Sequence, residues 1–232
     1  MAVSCLIDLT ALINSLQIHH LVGHAHKITC VRLIDGGKAV LTGSADRSIK
    51  VWDISRQTYK QTVTLRHSST SNCVDVGSDL NTAVSGHLDG GLRCWDLRTG
   101  NRTVDLAAIH DGGITSVRFH PTDSTQILTN SLDSSLKIID TRTCTAIQTL
   151  RHVGFSTSQA WSRSSFSPDG NYAIAGSNMS GEVFVWSTIS GQLKAKLSGH
   201  ESGVCGIDWG RGGASGQQVA SVDRKGKLIL WA

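Results

Sequence analysis

The sequence predicts an all-β protein made of repeated four-stranded units. Glycine is abundant (24 residues) and proline is scarce (2 residues) in this chain of 232 residues, a composition typical of many short strands joined by tight turns. A strand, a polar turn and a second strand that ends in tryptophan or isoleucine recur along the chain. The ends of these second strands, at positions 52, 95, 139, 186 and 231, lie 43 to 47 residues apart. This period is close to that of a β-propeller blade, which has four strands in roughly 40–45 residues.

The clearest copy of the motif is residues 43–53, Gly-Ser-Ala-Asp-Arg-Ser-Ile-Lys-Val-Trp-Asp. It reads as a strand, a tight turn headed by Asp46 and a second strand in which alternate side chains face opposite ways. A Gly-His pair, Gly23-His24, precedes it. A Gly-His followed by a Trp-Asp, with two apolar strands between them, is the signature of one WD40 blade. The chain therefore resembles a WD40 β-propeller.

Five repeats are recognisable, and they indicate a single propeller domain over residues 16–232. Residues 1–15 match no repeat and form an unassigned leader, for which a short helix and a non-native extension both remain open. The repeats lie near 23–65, 66–106, 109–150, 151–197 and 198–232.

Charge, cysteine and hydropathy patterns exclude several classes of function. The net charge of +4 is spread along the chain, which argues against a nucleic-acid-binding patch. The six cysteines form no CxxC pair, so we expect buried, reduced thiols in an intracellular protein. No apolar run approaches the ~18 residues that cross a membrane. Neither HExxH nor a glycine-rich phosphate loop occurs, so we expect no metal and no cofactor.

Histidine, hydroxyl, aspartate and tryptophan side chains recur at matching places in the repeats. A catalytic triad is one interpretation, but an active site need not appear three times. We interpret the sets as structural hydrogen-bond chains, in which aspartate holds the imidazole and the imidazole meets the hydroxyl. The three sets are His24, Thr42, Asp46 and Trp52; His67, Ser85, Asp89 and Trp95; and His110, Thr129 and Asp133, which lacks the tryptophan.

Two residues are candidates for contact with a partner. Lys27 follows the first Gly-His pair and should lie at the rim of one face, either as a solvated lysine or as a contact for an acidic residue. The loop entering the fourth repeat is five residues longer than its equivalents, and loops carry function disproportionately. Its Phe155 is predicted to be an exposed aromatic anchor. Trp161, by contrast, aligns with core positions and is predicted to pack inside.

Several stretches are more specific than the general WD40 repeat pattern. They are residues 84–89 (Val-Ser-Gly-His-Leu-Asp), 93–98 (Arg-Cys-Trp-Asp-Leu-Arg), 136–140, 161–170 and 221–232. Through them, residues 16–232 resemble the C-terminal WD domain of the autophagy-related protein 16-like family. The resemblance implies a propeller of about seven blades, preceded in the family by a segment that binds the autophagy-5/autophagy-12 conjugate and by a coiled coil. It also implies that Lys27 matches a position linked to partner recruitment.

The resemblance favours a non-catalytic interaction scaffold of the autophagy machinery, which assembles autophagosomes and recruits conjugates to membranes. The expected partners are proteins: the conjugation complex, peptide motifs and proton-pump subunits, with no nucleic acid and no membrane insertion. The expected location is the cytoplasm, with recruitment to phagophore or endolysosomal membranes. A general WD40 scaffold of another intracellular complex is the alternative, and an enzyme is a distant third because no nucleophile–base pair stands outside the repeats.

Ring closure is the last expectation. The fifth repeat lacks an outer strand, whereas residues 16–21 resemble an outer strand without inner strands before it. Pairing the two would close the ring and remove an exposed edge. Five blades close only if each wedge opens to about 72°, against about 51° in a ring of seven, and close-packed interfaces do not stretch in this way. We therefore predict an incomplete ring, in which residues 16–21 lie beside the first blade and do not pair with 226–231.

Overall fold

The computed structural model describes residues 2–7, 17–56, 58–210 and 218–232. Regular structure within these residues is β-strand, apart from a single 3-10 turn at Asp35–Gly37. The predicted all-β class is therefore confirmed. The strands are β1 (Ala2–Ile7), β2 (Gln17–His24), β3 (Ile28–Ile34), β4 (Ala39–Ser44), β5 (Ser48–Asp53), β6 (Lys60–Arg66), β7 (Ser71–Val76), β8 (Thr82–His87), β9 (Leu92–Asp96), β10 (Asn101–Leu106), β11 (Ile114–Phe119), β12 (Gln126–Ser131), β13 (Leu136–Asp140), β14 (Thr145–Leu150), β15 (Ser164–Phe166), β16 (Tyr172–Gly176), β17 (Glu182–Ser187), β18 (Leu193–Ser198), β19 (Val204–Trp209), β20 (Val219–Asp223) and β21 (Leu228–Trp231).

These strands form blades in chain order. Strands β3–β6, β7–β10, β11–β14 and β15–β18 make four antiparallel sheets of four strands each. Strands β19–β21 make a fifth sheet of three strands. Antiparallel neighbours joined by short turns are what the alternating apolar pattern and the turn residues specify. The first strand of each blade is the inner one, and the fourth is the outer one.

Successive blades pack face to face through apolar side chains. Leu41 and Ile49 of the first blade lie in one cluster with Val74, Ala83 and Trp95 of the second. Glycine on the second strand permits this close approach. A Cβ on Gly86 would lie 2.4 Å from Ile114 Cγ2 of the next blade, a distance that no side chain tolerates. Each blade therefore presents one face to its predecessor and the other to its successor.

The ring is not closed. Among the described strands, β21 pairs only with β20, and β2 pairs with β1. Leu21 of β2 instead packs on Val40 and Trp52 of the first blade. The predicted incomplete ring, with this strand beside the first blade, is thus confirmed. Part of the unassigned leader proves to be β1, while residues 8–16 lie outside the described residues.

The two ends of the open ring leave apolar side chains in solvent. Val31 and Leu33 on the first blade are 54% and 56% exposed. Leu228 and Leu230 on the last blade are 59% and 65% exposed. Their counterparts at interior blade interfaces, such as Val74 and Ile49, are buried. These end faces therefore have the chemistry of a blade interface without the neighbouring blade.

Candidate interaction site

The first blade contains a complete hydrogen-bond chain. His24 Nδ1 lies 2.8 Å from Asp46 Oδ2, and His24 Nε2 lies 2.8 Å from Thr42 Oγ1. Trp52 donates its indole N–H to the same Thr42 oxygen at 2.8 Å. The carboxylate fixes the Nδ1–H tautomer of the imidazole, so the Thr42 hydroxyl donates to Nε2. Burial alone would raise the pKa of Asp46, but hydrogen bonds from Ser48, the Ala25 N–H and His24 outweigh it and lower the pKa to about 2.

The third blade repeats this chain without its tryptophan. His110 Nδ1 lies 2.8 Å from Asp133 Oδ2, and His110 Nε2 lies 2.8 Å from Thr129 Oγ1. Burial acts to raise the pKa of Asp133, yet hydrogen bonds from His110 and Ser135 hold it well below its usual range. Ile139 occupies the tryptophan position and is buried. In both blades the histidine therefore stabilises the fold through its hydrogen bonds.

The second blade departs from the prediction. Ser85 Oγ bonds His87 Nε2 at 2.7 Å and accepts the Trp95 indole N–H at 2.8 Å. His67 packs edge-on against His87, with ring centroids 4.2 Å apart, and neither of its buried ring nitrogens is bonded to Asp89 or Ser85. The predicted chain from His67 through Asp89 and Ser85 is therefore wrong.

A single substitution within the repeat explains this difference. His87 stands where the first and third blades have Ser44 and Ser131, since each of these residues pairs with the first residue of its inner strand. An imidazole there is long enough to reach the Ser85 hydroxyl first. Asp89 turns to Arg93 instead, with Nη2–Oδ2 at 2.8 Å. The buried Arg93 guanidinium also meets Asp105 at 3.2 Å.

The Asp89→Ala variant should lower the free energy of unfolding by about 1–2 kcal/mol, because it removes one of two carboxylates from a buried guanidinium. Double-mutant cycles followed by urea unfolding identify the partner. We expect a coupling of about 1 kcal/mol between Asp89→Ala and Arg93→Leu, and a clearly smaller coupling between Asp89→Ala and His67→Ala. The reverse order would restore the sequence-based assignment of Asp89 to His67.

Phe155 is buried, not exposed as predicted. Its side chain is 4% accessible, and its ring lies 5.5 Å from that of Phe184 and 5.2 Å from that of Trp186. Ala175 takes the place of the hydroxyl residue of this blade, opposite Phe184 in the ladder. The fourth blade therefore replaces the polar chain by an aromatic cluster, and Phe155 completes that cluster. Ala175 and Phe184 are therefore the sequence signal that indicates the burial of Phe155.

The long loop also reverses the prediction for Trp161. In every blade the loop before the inner strand accepts a backbone N–H from the turn after the second strand. The pairs are Ala45 to Lys27, Leu88 to Thr70, Leu132 to Gly113, Asn178 to Ser156 and Arg224 to Gly203. Ser156, not Ala160, thus holds the position equivalent to Lys27. The extra residues follow it, and they carry Trp161 to a position where it is 47% exposed.

The fifth blade has a chain that the sequence reasoning missed. His200 Nε2 lies 2.6 Å from Ser221 Oγ, which accepts the Trp231 indole N–H at 2.8 Å. His200 Nδ1 lies 3.2 Å from Asp223 Oδ2. Asp223 comes two residues after the hydroxyl, whereas Asp46 comes four residues after Thr42. The displaced aspartate hid the match.

Lys27 lies on the surface formed by these loops and turns, which we call the upper face. Its carbonyl accepts the Ala45 N–H at 2.9 Å, which fixes the backbone while the side chain remains exposed. Apolar side chains are exposed in the same loops and turns: Leu88, Trp161 and Met179, the last being 75% accessible. The upper face thus offers apolar contacts beside a cationic rim residue, as protein interfaces commonly do.

The described residues hold no group of three or more histidine, cysteine, aspartate and glutamate side chains arranged to bind a metal ion. Nor do they include a helix with the length and apolar composition needed to cross a bilayer.

Comparison with known proteins agrees with this architecture. A family model of the WD domain, G-beta repeat, matches residues 15–53, 59–96, 106–140 and 145–187. These matches cover more than half of the chain. The chain therefore belongs to the WD40 family.

The chain is also similar to individual proteins. The chain is 35% identical over 216 residues to Protein tipD of Dictyostelium discoideum, and 34% identical over 214 residues to Autophagy-related protein 16 of Arabidopsis thaliana. Each match covers 92% of this chain, but only 34% and 40% of the respective relative. Protein Atg16l2 of Mus musculus is 36% identical over 162 residues, which are 69% of this chain and 25% of that protein. The domain is an Atg16-like WD40 domain, and it spans between a quarter and two fifths of the length of these relatives.

Proposed function

We propose that this protein is a non-catalytic interaction scaffold of the autophagy machinery, and that it binds partner proteins through the upper face. The observation that carries this proposal is the difference between two sets of side chains, those inside the blades and those on the upper face. The histidines and hydroxyls of the first and third blades are buried, and they are bonded to one another and to aspartate. Lys27 and the exposed apolar side chains of the upper face do not belong to these buried hydrogen-bond chains.

The non-catalytic part of the proposal rests on how the hydroxyls are used. Thr42 and Ser85 each accept an indole N–H and also contact an imidazole. A catalytic hydroxyl must be open to substrate and activated by a base, whereas these two are fully buried in the blades. Their chemistry is satisfied internally, so the surface is left for recognition.

The autophagy part rests on the similarity to proteins named Autophagy-related protein 16 and Atg16l2. On this proposal the partners are the autophagy conjugation complex, peptide motifs and proton-pump subunits. The domain would act in the cytoplasm and be recruited to phagophore or endolysosomal membranes. A scaffold in an unrelated complex is the competing function, and it would share the fold but none of these partners.

Lys27→Ala should reduce recovery of these partners without changing stability by more than about 0.5 kcal/mol, because the side chain is exposed. The measurement is immunoprecipitation of the tagged chain from cells, with immunoblots for the conjugation complex and for proton-pump subunits. The matched control is Lys38→Ala, an exposed lysine beside the turn at the opposite end of β3. Equal recovery with both variants would make Lys27 an ordinary solvated residue. Absence of both partner classes from the wild-type sample would favour the unrelated complex.

A further inference from the structure

A cleft opens between the two ends of the incomplete ring. It is a cavity of about 510 Å³ at the centre of the blades. One wall is the inner strand of the first blade, residues 29–32, and the other is residues 206–208 with Ala220 and Val222 of the last blade. The innermost lining comes from the middle blades, including Cys73, Ser116 and Arg163.

Positive charge is in excess in this cleft. Three arginines line it, Arg32, Arg118 and Arg163, against the single carboxylate of Asp208. Arg118 Nη2 lies 3.6 Å from Asp208 Oδ1. Arg32 pairs with Asp75 at 3.1 Å, below the cleft. Two of the three guanidinium groups are therefore already neutralised.

Arg163 is the exception. Its Nη1 donates to the Thr115 carbonyl at 2.6 Å, with longer contacts to the Ser162 carbonyl at 3.3 Å and the Ala160 carbonyl at 3.4 Å. It forms no ion pair with any residue that the structure describes. Backbone carbonyls thus hold one edge of the guanidinium in place, while the remaining N–H groups are left for a ligand. A fixed arginine fork suits a carboxylate, which it can bind through two parallel hydrogen bonds.

Apolar side chains are exposed on both walls of the cleft, and the wall of the last blade also carries the Asp208 carboxylate, whose side chain is 68% exposed. Val31 is 54% exposed on one wall and Val222 is 37% exposed on the other. Leu228 and Leu230 continue the second wall outward and are more exposed still. In the other blades, the residues equivalent to these are buried against the neighbouring blade. The exposed apolar surface of the cleft is therefore suited to contact with polypeptide.

We propose that this cleft binds an extended, acidic segment of a partner protein. One carboxylate side chain of the segment pairs with Arg163, and its apolar side chains pack on Val31 and Val222. The charge of the cleft selects this occupant, because a neutral or basic segment would leave the guanidinium without a counter-ion. The apolar walls distinguish it from a simple anion, which has nothing to pack there. The site is separate from the upper face and does not depend on Lys27.

Fluorescence anisotropy with two labelled peptides tests the proposal, using the sequences Val-Glu-Val-Glu-Val and Val-Gln-Val-Gln-Val with blocked ends. We expect the glutamate peptide to bind at least tenfold more tightly than the glutamine peptide, and Arg163→Gln to abolish this preference. Arg98→Gln removes an arginine that is 77% exposed and is not among the residues that line the cleft, and it should leave the preference intact. Equal binding of the two peptides, no binding of either, or a preference that survives Arg163→Gln would overturn the proposal.

A second pair of variants guards against misfolding of Arg163→Gln. Val31→Glu should weaken the binding of the acidic peptide at least tenfold more than Val31→Gln does. Both changes are at an exposed position. Hydrogen exchange of the wild-type complex should show protection in residues 28–34 and 204–209. Protection of residues 24–27 alone would place the peptide on the upper face instead. If inorganic phosphate displaced the labelled peptide as effectively as unlabelled peptide does, the cleft would be a simple anion site. That result would overturn the proposed role of the apolar walls.

Loss of peptide preference in Arg163→Gln and loss of partner recovery in Lys27→Ala are independent results. The first measures the cleft with a synthetic peptide, and the second measures the upper face with cellular partners. Either proposal can therefore fail while the other stands.

Discussion

Replacing Phe155 by alanine is expected to lower the free energy of unfolding by about 3–5 kcal/mol, the usual cost of removing a buried aromatic side chain. The ring is enclosed by Phe184 and Trp186 and belongs to an apolar cluster that joins the third and fourth blades. Truncation would leave a cavity that the rigid strands β16 and β17 cannot fill. Urea unfolding, followed by tryptophan fluorescence, measures the change.

The same loop supplies a control for this prediction. Val153, two residues earlier, is fully exposed, and Val153→Ala should change stability by no more than about 0.5 kcal/mol. Phe155→Leu should be intermediate, since it keeps most of the buried volume. If Phe155→Ala were as stable as the wild type but failed to bind partners, Phe155 would be the exposed anchor that the sequence first suggested.

Much of the fold follows from local pattern in the sequence. The period of the strand ends, the Gly-His pairs and the turn residues are each repeated, so an error in one blade is corrected by the others. The incomplete ring could also be predicted, because close packing fixes the wedge angle between blades. The hydrogen-bond chain of the first blade followed from the same regularity, since His24, Thr42 and Asp46 hold their usual places.

The failures occur where one blade departs from the others. Phe155 lies in the lengthened loop that enters the fourth blade, and the length of that loop suggested exposure. Its burial depends on Ala175 and Phe184, which are distant in sequence and become neighbours only across β16 and β17. Trp161 was misplaced for a related reason, because the extra residues enter the loop after Ser156 and not before it. The spacing between two motifs gives the length of an insertion between them, but it does not give the position of the insertion within the loop.

The second blade shows how a single residue changes the electrostatics of the repeat. Desolvation by burial is the main cause that lowers the pKa of His67 to about 4 and that of His87 to about 3. The His67 ring contributes to the lower pKa of His87, and the Arg93 charge contributes to both. The nearby Asp89 carboxylate acts in the opposite direction but does not compensate. In the first and third blades, by contrast, aspartate contacts the histidine directly. The second blade therefore holds two adjacent neutral imidazoles in its interior.

This pair predicts that the protein loses stability in mild acid. The unfolded chain binds protons at both histidines below about pH 6.5, whereas the folded blade resists protonation until the pH nears the lowered pKa values. Stability is therefore full above about pH 6.5 and falls as the pH decreases toward 4. For His87, the fall from about pH 7 to about pH 5 amounts to about 2 kcal/mol, and His67 adds a smaller amount because it is partly exposed. The depressed aspartates contribute mainly below about pH 4, where unfolded carboxylates begin to protonate.

Substituting His87 by serine should remove most of this acid sensitivity. Serine is the residue that the first and third blades carry at the equivalent position, and it frees the Ser85 hydroxyl for His67, as Thr42 serves His24. Urea midpoints at about pH 7 and about pH 5, the two ends of the window set by the histidines, should differ far less in His87→Ser than in the wild type. His20→Ser, at an exposed histidine, should retain the wild-type difference. If His87→Ser and His20→Ser showed the same loss of stability between the two pH values, the buried pair would not be the source of the acid sensitivity.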